Sequence, residues 1–170
     1  HNELDELCEL YSKTIMNIFY LHKDPETCAQ MHCDQHVVKM ILEYAQMLST
    51  AHRVWGSTDD RLYKVAHLNH PSTIWARSHA NNYLFLRDLF LYLCVEYTNR
   101  YGKIHKTQDR LEDVLFDLPA DIPSGESEIP QCMPDEYKHS NPIVGYRNFY
   151  RGDKVRFATY KFTSMPEFMK

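Results

Sequence analysis

Lys39, Glu43 and Gln46 follow His36 at steps of three, four and three, and Thr50 and Arg53 extend the series. Residues three or four apart on a helix are neighbours, so this spacing draws one polar stripe down one helix. A carboxylate in that setting, with an ammonium one turn away, can act as a general base or stabilise a developing cation. Glu43 is therefore the candidate acid/base, with His36 and Lys39 as its catalytic neighbours. The same stripe also suits an ordinary wet helix face, with Lys39 and Glu43 simply paired.

A second group lies in "HLNHPSTIWARSH", where His67, His70 and Arg77 flank a helix start. Free backbone N–H groups there favour a phosphate, and an arginine can clamp it. A capped helix start with Trp75 in the core reads equally well. A third group is "YRNFYRGDKVRFATYKF", where Arg147, Arg151 and Lys154 alternate with aromatic rings. Cations that hold phosphates and rings that stack on bases suit a flipped or single-stranded nucleotide. Several histidines, among them His32, His36, His67 and His70, keep a metalloenzyme open as an alternative. However, neither HExxH nor finger-like spacing is present, and no metal ligand is assigned. Glycine-rich phosphate loops, GxSxG elbows and Cys/His nucleophile signatures are absent too, so no cofactor is expected.

The elements that must carry these groups read as helices. "DPETCAQM" opens with Asp24 as N-cap and Pro25 at the first helical position. The stripe's own helix starts at Asp34 and stops near Gly56, with Val37, Ile41, Tyr44, Ala45, Leu48 and Ala51 as its buried face. Ser72–Tyr101 is helical, either unbroken or divided near "SHANN", and ends at Gly102. Its second half is apolar almost all round, which predicts a central core helix. Thr107 is expected to cap "TQDRLEDVLFDL", and Asn141–Pro142 restarts a helix. "IMNIFYL" reads as extended and buried. Four prolines in residues 119–134 mark a long loop.

These patterns predict an all-α, compact single-domain helical bundle with one long Pro-rich loop. Residues 1–15 form an N-terminal extension or short helix, and 16–170 form the domain. A length of 170 residues suits this, as do 44% hydrophobic and 25% charged residues. No apolar run approaches the ~20 residues a membrane span needs. The five cysteines are scattered, which points to reduced thiols and a cytoplasmic location. Net charge is −4, but it is unevenly spread: residues 1–15 sum to −3 and residues 141–170 to +4. The basic end allows DNA or a nucleotide as partner. Oligomeric state leaves no trace in the sequence.

Over Met16 to Phe168 the chain resembles a family of phage and large-virus proteins with the layout MNIFYL…CDKHVVKMILE…HP…MPDEYK…YRNYY. That likeness brings no activity with it. More distantly it resembles the phage pyrimidine-dimer DNA glycosylase/lyases of the endonuclease V type. Those proteins carry "DQH" early in a helix and a catalytic glutamate seven residues after the histidine. Asp34-Gln35-His36 followed by Glu43 has that interval. "SHANNYLFLRDLF" resembles a later helix of that family, and Tyr160-Lys161-Phe162 its aromatic tail. The resemblance implies an all-α fold and a DNA substrate. It also implies an amine that attacks sugar C1′ and a glutamate that stabilises the cationic intermediate. The family's nucleophile is an N-terminal α-amine, whose matching position lies near Met16-Asn17-Ile18. Lys39 is the lysine on this chain that could substitute for it. A DNA- or base-acting repair enzyme is the leading expectation, and a non-catalytic nucleic-acid-binding protein the alternative.

Overall fold

A computed structural model describes residues 17–170, and it is all-α: no strand occurs among the described residues. The extension or short helix expected over residues 1–15, together with Met16, lies outside them. Six α-helices follow in order: α1 (Pro25–Met31), α2 (Asp34–Val54), α3 (Pro71–Ser78), α4 (Ala80–Tyr101), α5 (Lys106–Phe116) and α6 (Pro142–Phe149). One wide turn of π type (Tyr150–Lys154) continues α6.

Local chemistry explains most boundaries. Asp24 accepts the Thr27 N–H, and Pro25 occupies the first turn of α1, where its missing donor costs nothing. Gly102 ends α4 in the left-handed conformation, which glycine adopts without a Cβ clash. The helical stretch from residue 71 to 101 is two helices. His79 breaks it, with φ −147° and ψ 148°. The Ala80 N–H then donates to Pro123 O, and the Asn81 N–H to Gly125 O. The long loop thus satisfies donors that a helix start leaves open. At α5 the cap is His105 rather than Thr107: the imidazole accepts the Thr107 N–H, and Thr107 itself is buried inside the helix.

α4 is central, packing against α1, α2, α3 and α5. Leu86, Leu89, Phe90 and Leu93 are buried on it, while Val95 is half exposed, so the core does not surround it completely. α2 packs on α3, α4 and α5. Its buried face holds Val37, Met40, Ile41, Tyr44, Met47 and Leu48.

Two polar nodes fix where α2 begins. Arg100, 1% exposed, donates to His32 O, Gln30 O, Asp34 and Glu96 at 2.8–3.2 Å. A guanidinium buried this deeply is tolerable because every neighbour it meets is an acceptor. Asp34 also accepts from the Thr159 hydroxyl and the Lys161 N–H, so the C-terminal tail is buckled onto the helix start. The second node is His32. Its Nδ1 donates to Cys28 O at 2.7 Å, and its Nε2 faces the Tyr44 hydroxyl at 2.8 Å. The Phe19 N–H donates to that same hydroxyl. This chain of bonds lays the extended segment 17–21 against α2.

Candidate active site

The polar stripe of α2 is not uniformly wet. Its C-terminal part is roofed by the loop 57–66. The Thr50 hydroxyl accepts the Ala66 N–H at 3.1 Å and reaches Ala66 O at 3.4 Å. Arg53 Nε donates to Tyr63 O at 2.7 Å, and an outer nitrogen to Leu62 O at 2.9 Å. Those residues hold a loop. Gln46 is half-buried between them and Glu43.

The N-terminal part is different. His36 is 2% exposed, stacked on Phe19 at 4.2 Å and bonded through Nδ1 to the Tyr150 hydroxyl at 2.6 Å. Burial, then the nearby His32, Lys154 and Lys39, holds its pKa down to about 2, so the ring is neutral at any ordinary pH. Lys39 is exposed. Glu43 is half-buried, and its Oε2 is fully enclosed with no hydrogen-bond partner among the described residues. Burial pushes this carboxyl up to about 7, and the Lys39 ammonium pulls the other way without overcoming it. An enclosed carboxyl oxygen lacking a partner is costly when ionised, which is why the group holds its proton to higher pH.

His36, Lys39 and Lys154 line one hollow of about 270 Å³, with Gln35 and Phe157. Lys154 comes from the π-type turn, brought there because Tyr150 inserts its ring beside His36 and Cys33. Tyr150 is the residue that sequence reasoning missed: it is one of many aromatics in its segment, and nothing in its spacing marks it as the partner of His36.

The other expected residues sit elsewhere. His70 is buried and caps α3, its Nδ1 accepting the Ser72 N–H at 3.0 Å. His67 is exposed in the preceding turn at φ 48°. Arg77 donates to Leu68 O at 2.8 Å, which braces that same turn. Arg147 reaches back to Leu21 O at 2.9 Å and lies over the Phe168 ring. Arg151 bonds Asn148 and approaches Phe168 O. Both arginines thus brace the C-terminal tail, although Arg151 remains exposed. The structure therefore joins Lys154, but not Arg147 or Arg151, to the hollow beside His36 and Lys39.

No group of three or more His, Cys, Asp or Glu side chains among the described residues is placed to hold a metal ion. Nor is any helix among them long and apolar enough to cross a membrane. A larger cavity, about 560 Å³, opens between Tyr20, Trp75, Phe85 and residues 126–129. Its walls carry no buried polar atom without a partner, unlike the Glu43 face.

An enclosed carboxyl with a raised pKa thus stands one helical turn from Lys39, which lines the hollow together with Lys154. The pyrimidine dimer DNA glycosylase family matches residues 16–109, from the extended segment through α4 and into α5. The chain belongs to that family, one of DNA repair. No curated protein and no solved structure matches it significantly.

Proposed function

We propose that the protein is a DNA glycosylase that excises damaged pyrimidines, with Glu43 as its acid/base. The observation that carries this is Glu43 itself: an enclosed Oε2 without a partner, on a carboxyl held near neutral pH, in the matched region. A group with a pKa near the working pH both takes and gives protons efficiently.

In the proposed reaction an amine lone pair forms a bond to sugar C1′. The C1′–N bond to the base breaks, and its electron pair leaves with the base, which takes up a proton. The nitrogen, cationic after attack, gives up a proton; the C1′–O4′ bond then breaks, O4′ takes a proton, and the nitrogen lone pair closes an iminium to C1′. Ionised Glu43 stabilises that cation, and its carboxyl form returns a proton. The resemblance assigns the amine to a chain terminus at the level of Met16-Asn17-Ile18. Asn17 stands at that level, its own nitrogen being the amide of the Met16–Asn17 peptide rather than a free amine. It is buried, and it is fixed by bonds from Nδ2 to Cys132 O at 2.7 Å and from the Tyr146 hydroxyl to Oδ1 at 2.8 Å. A lyase step follows chemically from the same iminium: the acidified C2′ proton passes to Glu43, a C2′–C3′ double bond forms, and the C3′–O bond breaks with the 3′ phosphate leaving with its electron pair.

Glu43→Gln tests the reading. On duplex DNA carrying pyrimidine dimers, excision should fall about 10²–10⁴-fold, the usual worth of general acid–base catalysis. Unchanged excision by the folded variant would refute Glu43's role. Borohydride reduction during turnover should trap a protein–DNA adduct, and mapping that adduct identifies the amine.

A further inference from the structure

The hollow beside His36 is a built pocket rather than a gap between surface lysines. Its two ammonium groups come from segments more than a hundred residues apart in sequence, Lys39 on α2 and Lys154 on the wide turn. Lys154 is held in place: its ammonium sits 4.8 Å from the Phe149 ring centroid and 5.9 Å from that of Phe157, and it pairs with Asp153 at 2.9 Å. Asp153 is half exposed and is not among the residues that line the hollow, which has no carboxylate in its walls.

His36 supplies the floor. The Tyr150 hydroxyl accepts the Cys33 N–H at 3.3 Å and has one proton of its own to give. We assign that proton to the contact with His36 Nδ1 at 2.6 Å, the shorter of the two, over the one with the Cys33 sulfur at 3.7 Å. With Nδ1 accepting, the neutral ring must carry its proton on Nε2. Nε2 has no partner among the described residues. The pocket thus presents two cations, one N–H donor and the Gln35 amide, and the one acid paired with them, Asp153 on Lys154, stands outside its walls. A volume of about 270 Å³ leaves room for a tetrahedral anion with several waters, each of which takes about 30 Å³.

We propose that this pocket seats one phosphodiester group of the DNA backbone, gripped by Lys39 and Lys154 and oriented by the Nε2–H of His36. The assignment rests on the DNA substrate proposed above and deepens it. Lys39 separates the seat from Glu43 by a single helical turn, so a phosphate held there anchors the strand next to the carboxyl. It also gives Lys39 the work of a fixed charge rather than of an attacking amine.

The test uses the full chain carrying Glu43→Gln and measures duplex affinity against salt. Lys39→Met and Lys154→Met should each weaken binding to all sequences alike and lower the slope of log K on log salt by about 1. Lys39→Arg and Lys154→Arg should restore the slope. In the chain with Glu43 intact, borohydride trapping of Lys39→Arg should still yield a protein–DNA adduct, whereas loss of the adduct would make Lys39 the attacking amine and overturn its assignment as a fixed charge. Methionine variants that fold and bind with an unaltered slope overturn the proposal. So does a pocket that responds to inorganic phosphate alone, read as a shift of the His36 imidazole ¹⁵N signal, while the DNA slope stays unaltered. Neither outcome bears on Glu43, whose excision test stands separately.

Discussion

The two halves of α2 carry the same kinds of side chain at the same spacing, and the protein uses them in opposite ways. At Thr50 and Arg53 the polar groups are directed at backbone carbonyls and amides of the loop 57–66, where they act as structural pins. From His36 to Glu43 they meet a hollow and an enclosed carboxyl oxygen without a partner. The lesson is that a polar stripe becomes a site where its hydrogen-bonding capacity is left unspent. Satisfied groups stabilise; unsatisfied ones cost stability and remain available for a substrate.

That contrast predicts a separation of effects along one helix. The largest is at Glu43, where Gln should abolish most excision while leaving the protein as stable or more so. The sign follows from the raised pKa. The unfolded chain loses its proton near 4.5 and the folded one near 7, so the folded state is progressively penalised as pH rises between them. Thermal melts should therefore show Glu43→Gln gaining on the parent at pH 8, with the gain disappearing below about pH 4.5.

Arg53→Met should do the reverse. It removes charge-assisted bonds to two carbonyls, each worth about 1.5–3 kcal/mol at most, and partial exposure reduces the sum. Denaturant midpoints should fall clearly, with excision per folded molecule nearly unchanged. Tyr150→Phe lies between the halves in kind. It strips His36 Nδ1 and the Cys33 N–H of a buried partner, a loss of about 1–3 kcal/mol. It also frees the imidazole tautomer, so DNA affinity should drop along with stability. Thr50→Val is the smallest change, about 1 kcal/mol for the lost Ala66 bonds, and should be invisible to activity. A Thr50 or Arg53 variant that kept its stability but lost excision would break the comparison.

Histidines set the acid side of stability. His32 and His36 are both held neutral by burial, their pKa values pushed down to about 4 and about 2. Below about pH 6.5 the unfolded chain binds protons that the folded one refuses. Stability should fall as pH drops from 6.5, and His32→Gln, which has no proton to gain, should flatten that fall.

Much of the scaffold was legible because its signals are local. Asp24-Pro25, Gly56, Gly102 and Asn141-Pro142 each act within a few residues of themselves, and the helices begin or end at them. The errors and omissions are long-range. The break at His79 depends on carbonyls of Pro123 and Gly125 some forty residues onward, which replace the missing helical acceptors. Which cations stay available is equally non-local. Arg147 and Lys154 look alike in sequence, but Arg147 reaches back to the Leu21 carbonyl, whereas Lys154 pairs with its neighbour Asp153 and lines the hollow. His36 and Lys39 lie on the face of α2 that meets the hollow. Its distinction from the Thr50 and Arg53 face exists only once loop 57–66 has folded over the latter.

The central claim is that Glu43 is an enclosed, proton-poised carboxyl in the folded, substrate-free protein. Its direct test is a ¹³C NMR titration of the Glu43 side-chain carboxyl, assigned by its loss in Glu43→Gln. A midpoint near 7 is predicted, with the excision rate changing over the same pH range. A midpoint near 4.5, the value of an ordinary solvated glutamate, would contradict the account.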